Sequence, residues 1–255
     1  MKGLYRSLGW VCLWLCLTQS SLTAAASYVV VSTIGSQLTI VTAQEQTGTN
    51  RDRTYAEARP VSDPILDATA LTAAKAAIQK ARPGSSVATL RLSDAKLLAD
   101  QEKWFGQAKL DAPELVELLK AEIGDDPATR LMIIAAHRAD ILLRLEHGYV
   151  GFGKAAGLGF YIDSVARVSR SDTGQKGQGV FGPFANFRIV LVDPRSLVIE
   201  SEQAIAAGTA RSATRAEDRD PWNVLSGQEK IRLLQELLTA EIARAGPKLF
   251  DQQSR

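Results

Sequence analysis

The chain has 255 residues, 45% of them hydrophobic, and its 30 basic and 28 acidic side chains give a formal net charge of +2. Near-neutrality without any run of basic residues excludes an electrostatic reason to bind nucleic acid. Both cysteines, Cys12 and Cys16, lie close to the amino terminus. The rest of the chain therefore has no thiol for a disulfide, a nucleophile or a cysteine metal site.

Residues 1–26 have the layout of a secretory signal peptide. Two basic side chains precede an apolar run at 8–17, and small residues lead up to Ala26. The pattern predicts cleavage between Ala26 and Ser27. The apolar run is too short to span a bilayer comfortably. Cys16 is preceded by a large residue rather than a small one, so lipidation is not predicted.

Cleavage would remove two basic residues, Lys2 and Arg6, and leave 30 − 2 = 28 basic against 28 acidic side chains. No second long apolar run follows, so the mature chain has no predicted membrane span. The sequence therefore predicts a periplasmic or secreted protein.

The first part of the mature chain is rich in β-forming residues. Residues 27–44 contain two apolar runs around Ile34-Gly35-Ser36-Gln37, which predicts a hairpin. Residues 47–64 are polar and aperiodic, which is typical of a loop. A helix is then predicted from Asp63-Pro64, where the aspartate caps and the proline takes the first position, to Arg82-Pro83-Gly84.

The middle of the chain alternates short strands and helices. A strand is predicted at 86–92, and Ser93 is placed to cap a helix. A second helix is predicted over 111–124. The nearly all-apolar run 129–137 is typical of a strand covered on both faces. Residues 139–148 predict a further strand.

The last part begins with a region rich in glycine and aromatic residues, 148–184, which we expect to form a long loop. Residues 185–208 predict a second hairpin, with Asp193-Pro194-Arg195-Ser196 as its turn. A helix is predicted from Ser226 until Gly246-Pro247 ends it. Residues 247–255 would then be a tail.

This order predicts one α/β domain over 27–246, with helices packed on a mixed sheet, two β-hairpins and a C-terminal helix. The segments YVVVSTI, VATLRL, TRLMIIAAH and FRIVLVDPRSLVIESE resemble periplasmic α/β domains. The domains in question are those of the curli secretion component, the TolB amino terminus and the lipoprotein activators of penicillin-binding proteins. Leu197 stands where that group usually has glycine. The resemblance implies a non-enzymatic accessory role in the cell envelope, and the chain as a whole also resembles uncharacterised secreted proteobacterial proteins.

The stretch GYVGFGKAAGLGFYID (148–163) matches the spacing of two nucleotide-binding motifs. The phosphate loop requires a hydroxyl after Lys154, but Ala155 has none. Both motifs require a following helix, whereas glycines and β-forming residues follow here. A nucleotide cofactor is therefore not predicted. Similarly, Ser93 and Lys96 match S-x-x-K, but helix capping explains Ser93 better than nucleophilic catalysis does.

The two histidines, His137 and His147, lie on adjacent predicted strands with Asp140 nearby. A hydrolase that uses these residues is the alternative function. A metal site is not predicted, because a third ligand at compact spacing is missing.

The region 148–187 combines aromatic side chains with arginines, as recognition surfaces do. We predict that it binds an envelope protein or a cell-wall component. In the alternative interpretation the aromatics complete the core and 169–179 is a mobile tip; a purely structural role in an assembly is also open. The predicted contact residues are Tyr149, Phe152, Phe160, Tyr161, Arg167, Arg170 and Asp172.

Overall fold

The computed structural model describes residues 26–43, 54–92, 94–106, 108–169, 176–213 and 220–251. The predicted signal peptide before Ala26 lies outside these ranges, and so do Ser93, Arg170 and Asp172. Ser27 is the first residue of the first strand, so the predicted cleavage site directly precedes the sheet. Within the described ranges, no helix combines the length and apolarity needed to cross a membrane.

The described residues form a mixed sheet with helices packed on it, which confirms the predicted α/β class. The strands are β1 (Ser27–Ser32), β2 (Gln37–Ala43), β3 (Thr54–Pro60), β4 (Ser86–Arg91), β5 (Arg130–Ala136), β6 (Arg138–Asp140), β7 (Leu143–Leu145), β8 (Gly148–Val150), β9 (Lys154–Ser169), β10 (Lys176–Val192), β11 (Ile199–Gly208) and β12 (Arg211–Ser212). The α-helices are α1 (Ile65–Ala81), α2 (Ala95–Ala99), α3 (Pro113–Ile123) and α4 (Gly227–Asp251), and short 3-10 helices cover Gln101–Lys103 and Pro221–Val224.

The long strand β10 organises the sheet. One of its edges pairs with β11 and β12. The other edge pairs first with β9, as far as Asn186, and then with β5, from Phe187 onward. β9 and β5 therefore lie end to end along one edge of β10. The next row repeats this arrangement, because β2 runs parallel to β9 and β1 runs parallel to β5. The sheet thus divides into two arms beside one continuous strand.

The parallel arm consists of β5, β1 and β4, in that order. The run 129–137 forms β5, and its side chains are buried alternately toward the two faces. Met132 and Ile134 contact the core under α1 and α4, whereas Leu131 and Ile133 contact the core under α3. The prediction of a strand covered on both faces is confirmed.

The arm that contains β9 and β2 corrects the predicted loop at 148–184. The described residues of this range form β8, β9 and about the first half of β10. Phe160 and Phe181 stack inside the core with ring centroids 5.2 Å apart. Gly159 allows the neighbouring strand to approach, because a Cβ there would collide with the carbonyl oxygen of Thr39 and the Phe184 ring. The glycines of this region serve close packing in strands, which composition alone does not distinguish from a loop.

The segment 27–44 contains two strands as predicted, but they do not form a hairpin with each other. β1 pairs with β4 and β5, and β2 pairs with β3 and β9. The connection is held by Asp67, which accepts hydrogen bonds from Ser32 Oγ at 2.6 Å and Gly35 N at 3.0 Å. The chain therefore continues from one arm to the other instead of reversing. Within 47–64, predicted as a loop, Thr54–Pro60 forms the edge strand β3.

The second predicted hairpin is confirmed as β10 and β11. Asp193 accepts hydrogen bonds from Arg195 N at 3.0 Å and from Ser196 Oγ at 2.9 Å, and these bonds lower the pKa of its carboxyl. Leu197 has a φ of 58°, in the left-handed region that favours glycine. This is the position where the resembled domains usually have glycine.

Helices α1 and α4 pack together on one face of the sheet, and α3 covers the other. α1 begins as predicted, with Asp63 accepting a hydrogen bond from Ile65 N at 3.0 Å. The carboxylate of Asp94 caps α2 by accepting from the amides of Lys96 and Leu97. That is the role the sequence had suggested for the preceding serine, which lies outside the described residues.

The predicted end of the last helix at Gly246-Pro247 is wrong, because α4 continues through Pro247 to Asp251. Proline cannot donate the backbone hydrogen bond that this position normally makes. The extra turn buries Leu249 and Phe250 in the core, and Phe250 meets Tyr28 edge-on at a centroid distance of 5.9 Å. Burial of these two side chains offsets the lost bond.

Candidate functional site

A cleft opens where the two arms of the sheet separate. The parallel strands β1, β4 and β5 all end there, at Ser32, Arg91 and Ala136. The cavity has a volume of about 790 Å³. We call it the notch. Its lining includes Thr33, Gln37, Arg91, Gln101, Arg138 and Lys154. In α/β proteins the carboxyl ends of parallel strands are the usual position for a ligand.

One side of the notch is fixed by Gln101, the first residue of a 3-10 helix. Its Oε1 accepts a hydrogen bond from Thr33 Oγ1 at 3.0 Å and another from Ala136 N at 3.2 Å. The side chain therefore connects the segments that follow β1 and end β5. This bridge holds the 3-10 helix over the opening between the strands.

Asn186 lies on β10 at the point where its neighbour changes from β9 to β5. Its side-chain amide is buried and donates hydrogen bonds to Ala155 O at 3.0 Å and Ala139 O at 3.2 Å. These carbonyls belong to β9 and β6. Asn186 thus ties together the strands behind the notch, where regular sheet pairing is interrupted.

The segment that connects β1 and β2 is hydrogen-bonded to Asp67, which is only 1% exposed. Burial raises the pKa of its carboxyl, while the hydrogen bonds from Ser32 and Gly35 oppose the shift. Arg91 also lowers this pKa through its charge. The buried carboxyl keeps the 33–36 segment, which lines the notch, in one conformation.

Three cationic side chains line the notch from three different strands or strand ends. They are Arg91 at the end of β4, Arg138 in β6 and Lys154 at the start of β9. One carboxylate, Glu102, also lies in the lining. Lys154 reaches Asp140 at 4.0 Å, and both side chains are more than half exposed. Such an exposed pair is weak. The lining therefore has an excess of positive charge.

The two histidines have separate partners. His137 Nδ1 and Arg188 Nη2 are 2.6 Å apart, on the face of the sheet covered by α3. Burial and the charge of Arg188 lower the pKa of His137. His147 lies 3.9 Å from Glu146 in the exposed turn between β7 and β8. Among the described residues no cluster of three metal-ligating side chains occurs.

The predicted contact residues divide by burial. Phe160 and Tyr161 are each 1% exposed and belong to the core, so the expectation that they contact a partner is wrong. The Tyr161 hydroxyl donates to Asp163 at 3.3 Å, and burial raises its pKa. Tyr149 and Phe152 are 69% and 45% exposed. The remaining three contact residues are Arg167, exposed on β9, and Arg170 and Asp172, which are outside the described residues.

Part of the stretch 148–163, whose spacing matches a phosphate loop, lines the notch, but it forms a strand there. Residues 154–157 line the cavity, and Lys154 begins a strand rather than a helix. The strand that begins at Lys154 presents no helix N-terminus to a phosphate group.

Sequence analysis did not identify Arg91, Gln101, Arg138 or Asn186. Two signals were available. Arg91 and Arg138 each lie at or just after the end of an apolar strand, where the carboxyl ends of parallel strands collect polar groups. Asn186 interrupts a strongly apolar strand, and a buried amide requires partners that only another segment can supply.

No family model matches the chain, and no curated protein matches it. Among solved structures, a DUF330 protein from Xanthomonas campestris is similar with 10% identity over 90% of this chain and 87% of that one, at a TM-score of 0.38. A putative neuraminyllactose-binding hemagglutinin homolog from Helicobacter pylori has 9% identity over 86% and 82% of the two chains, at a TM-score of 0.39. These TM-scores are too low to indicate a function. The resemblance to the curli, TolB and activator domains stays a prediction.

Proposed function

We propose that the chain is a non-enzymatic binding protein of the cell envelope and that its ligand occupies the notch. The observation that supports this proposal is the position of the cavity at the carboxyl ends of β1, β4 and β5. Its volume of about 790 Å³ lies within the range of small-molecule sites. Its walls come from separate segments, which the bonds of Gln101 and Asn186 hold in place.

Export to the envelope is supported by the amino-terminal sequence together with the start of the fold. Cleavage before Ser27 would leave β1 complete, and the Ser27 hydroxyl accepts a hydrogen bond from Ser86 Oγ at 2.8 Å at the end of the sheet. The mature amino terminus would then be part of the folded domain.

Binding rather than hydrolysis is supported by the surroundings of the histidines. His137 Nδ1 accepts a hydrogen bond from Arg188 Nη2 on the α3 side of the sheet, and burial and the charge of Arg188 lower the pKa of the ring. Neither His137 nor His147 belongs to the lining of the notch. Tyr149, which is exposed beside α4, remains our proposed contact for a larger envelope partner.

The proposal is tested by filling the notch without changing its charge. Ala99 is an exposed residue at the end of α2 and lines the cavity, so Ala99→Trp places an indole at the opening. Ala121→Trp adds the same side chain to an exposed position of α3 and serves as the matched control. The measurement is the thermal unfolding midpoint with and without the low-molecular-mass dialysate of a periplasmic extract.

We expect the dialysate to raise the midpoint of the wild-type protein and of Ala121→Trp, but not that of Ala99→Trp. A bound ligand stabilises the native state by mass action, and a filled cavity cannot bind it. An equal rise for both tryptophan variants would contradict the notch as the ligand site.

A further inference from the structure

We infer that the notch binds a small molecule through an oxyanion, either a carboxylate or a phosphate group. The inference rests on the proposed function, because it assumes that the ligand lies in the notch, and it adds the chemical class of that ligand. Two guanidinium groups, an ammonium group and uncommitted neutral donors face the same cavity.

The arginines of the notch differ from several others in the chain because they form no salt bridge among the described residues; Arg91 acts on the Asp67 carboxyl only through its charge. Arg130 pairs with Glu200 at 2.7 Å, and Arg188 pairs with Glu202 at 3.0 Å. Within the described ranges, neither Arg91 nor Arg138 forms a salt bridge. A guanidinium retains five donors in a planar fork that matches a carboxylate or a phosphate. Two such forks beside one cavity are therefore available to an anionic ligand.

Lys154 adds a third positive charge that is only weakly engaged. Its distance of 4.0 Å to Asp140 is at the limit of an ion pair, and solvent screens both groups. Glu102 opposes the positive charge of the lining but does not balance it. Since the whole chain has a net charge of only +2, this local excess does not follow from composition.

Neutral donors also line the cavity. Ser36 lies between β1 and β2, and Gln37 is the first residue of β2; their side chains make no hydrogen bond to the rest of the described chain. Thr33, in contrast, already donates to Gln101 and to the carbonyl of Ile134. The free hydroxyl and amide can hold the uncharged part of a ligand while the arginines hold its anionic group.

The volume of the notch limits the size of the ligand that it can hold. A cavity of about 790 Å³ is far larger than a single inorganic anion requires, because a water molecule occupies only about 30 Å³ in the liquid. A molecule with a sugar-sized body and one oxyanion fits both the volume and the charge.

Three ligands with the same ring test this inference. Glucose is neutral, glucuronate carries a carboxylate on the same ring, and glucose 6-phosphate carries a phosphate. Isothermal titration calorimetry should detect binding of the two charged sugars and not of glucose. The affinity should fall as salt is raised, since screening weakens exposed charges. The stronger of the two charged ligands identifies which oxyanion the site prefers.

The variant Arg91→Gln/Arg138→Gln removes two positive charges from the notch and should weaken the charged sugars by about tenfold or more, because charge-assisted hydrogen bonds are roughly twice as strong as neutral ones. Arg232→Gln/Arg244→Gln removes the same charge from α4 and should leave binding unchanged. Equal affinities in the two double variants would overturn the inference, and so would failure of both charged sugars to bind.

The two proposals can fail separately. If glucose binds as tightly as its charged relatives and Ala99→Trp abolishes that binding, the notch is the ligand site but does not select an oxyanion. If the charged sugars bind the wild-type protein and Ala99→Trp equally, the anionic ligand lies elsewhere and the proposed function of the notch is wrong as well.

Discussion

The aromatic cluster of Phe160, Phe181 and Trp222 and the notch both include residues of β9, and they differ in almost every physical respect. In the cluster, Phe160, Phe181 and Trp222 pack ring against ring with centroid distances of 5.2 to 5.9 Å. The charged group closest to these rings, Lys230, is 7% exposed and lies 3.8 Å from the centre of the Trp222 ring, and burial lowers its pKa.

The notch is open, and charged and polar side chains line it at the ends of strands. Its side chains come from segments far apart in the sequence, and Arg138 and Lys154 are exposed. Most of the aromatic residues concentrated in 148–187 belong to the core of this protein. Polar residues at the ends of buried strands marked the candidate site.

Truncation of a side chain in the aromatic cluster should have the largest effect on the free energy of unfolding. Phe160→Ala removes a fully buried ring and should lower the free energy of unfolding by about 3–5 kcal/mol. Tyr149→Ala truncates an exposed aromatic of the same region and should change it by less than about 0.5 kcal/mol. Urea unfolding followed by circular dichroism measures both. Similar values would mean that Phe160 is not part of the core.

The second prediction concerns Asn186, which connects the two regions. Asn186→Ala leaves the carbonyl oxygens of Ala139 and Ala155 without their side-chain donor, and we expect a loss of about 1–3 kcal/mol. Gln178→Ala changes an exposed amide on the same strand and is the control. The same urea experiment applies. A loss no larger than that of Gln178→Ala would show that the amide does not hold the strands behind the notch.

The smallest expected effect is a change in the free energy of unfolding with pH. It tests the buried carboxyl of Asp67 next to the notch. Because the pKa of Asp67 is raised in the folded protein, the native state binds its proton more tightly than the unfolded chain does. Stability is therefore lost as the pH rises from about 4, the unfolded value, through the folded value. Within this window the slope is at most about 1.4 kcal/mol per pH unit.

Asp67→Asn removes this titration and keeps an oxygen that can accept from Ser32 and Gly35. The difference in unfolding free energy between wild type and variant should therefore shift in favour of the variant with rising pH. All other carboxyls titrate in both proteins and cancel in the difference. Parallel stability curves would exclude a raised pKa for Asp67.

Much of the fold could be predicted from the sequence because its signals are local. The apolar run of β5, the cap of α1 at Asp63 and the turn at Asp193 all form as expected. Leu197 follows this turn with a φ of 58°, in the left-handed region that favours glycine. Each of these features depends on side chains and backbone groups within a few residues of one another.

The pairing of strands and the content of the candidate site could not be predicted in this way. Whether 33–36 reverses the chain depends on Asp67, which lies on a helix that follows a different strand. Whether Pro247 ends α4 depends on the core that receives Phe250. The notch exists because β10 exchanges one neighbour for another at Asn186.

The sequence by itself determined the class of the fold, the order of most of its helices and strands, and a predicted export signal. These follow from hydrophobic periodicity, caps and turns, which act over short distances along the chain. Only the tertiary structure decided that Phe160 is core and that Arg91, Arg138 and Lys154 share a cavity. Burial and charge clustering arise from contacts between distant segments, and the residue types alone do not specify them.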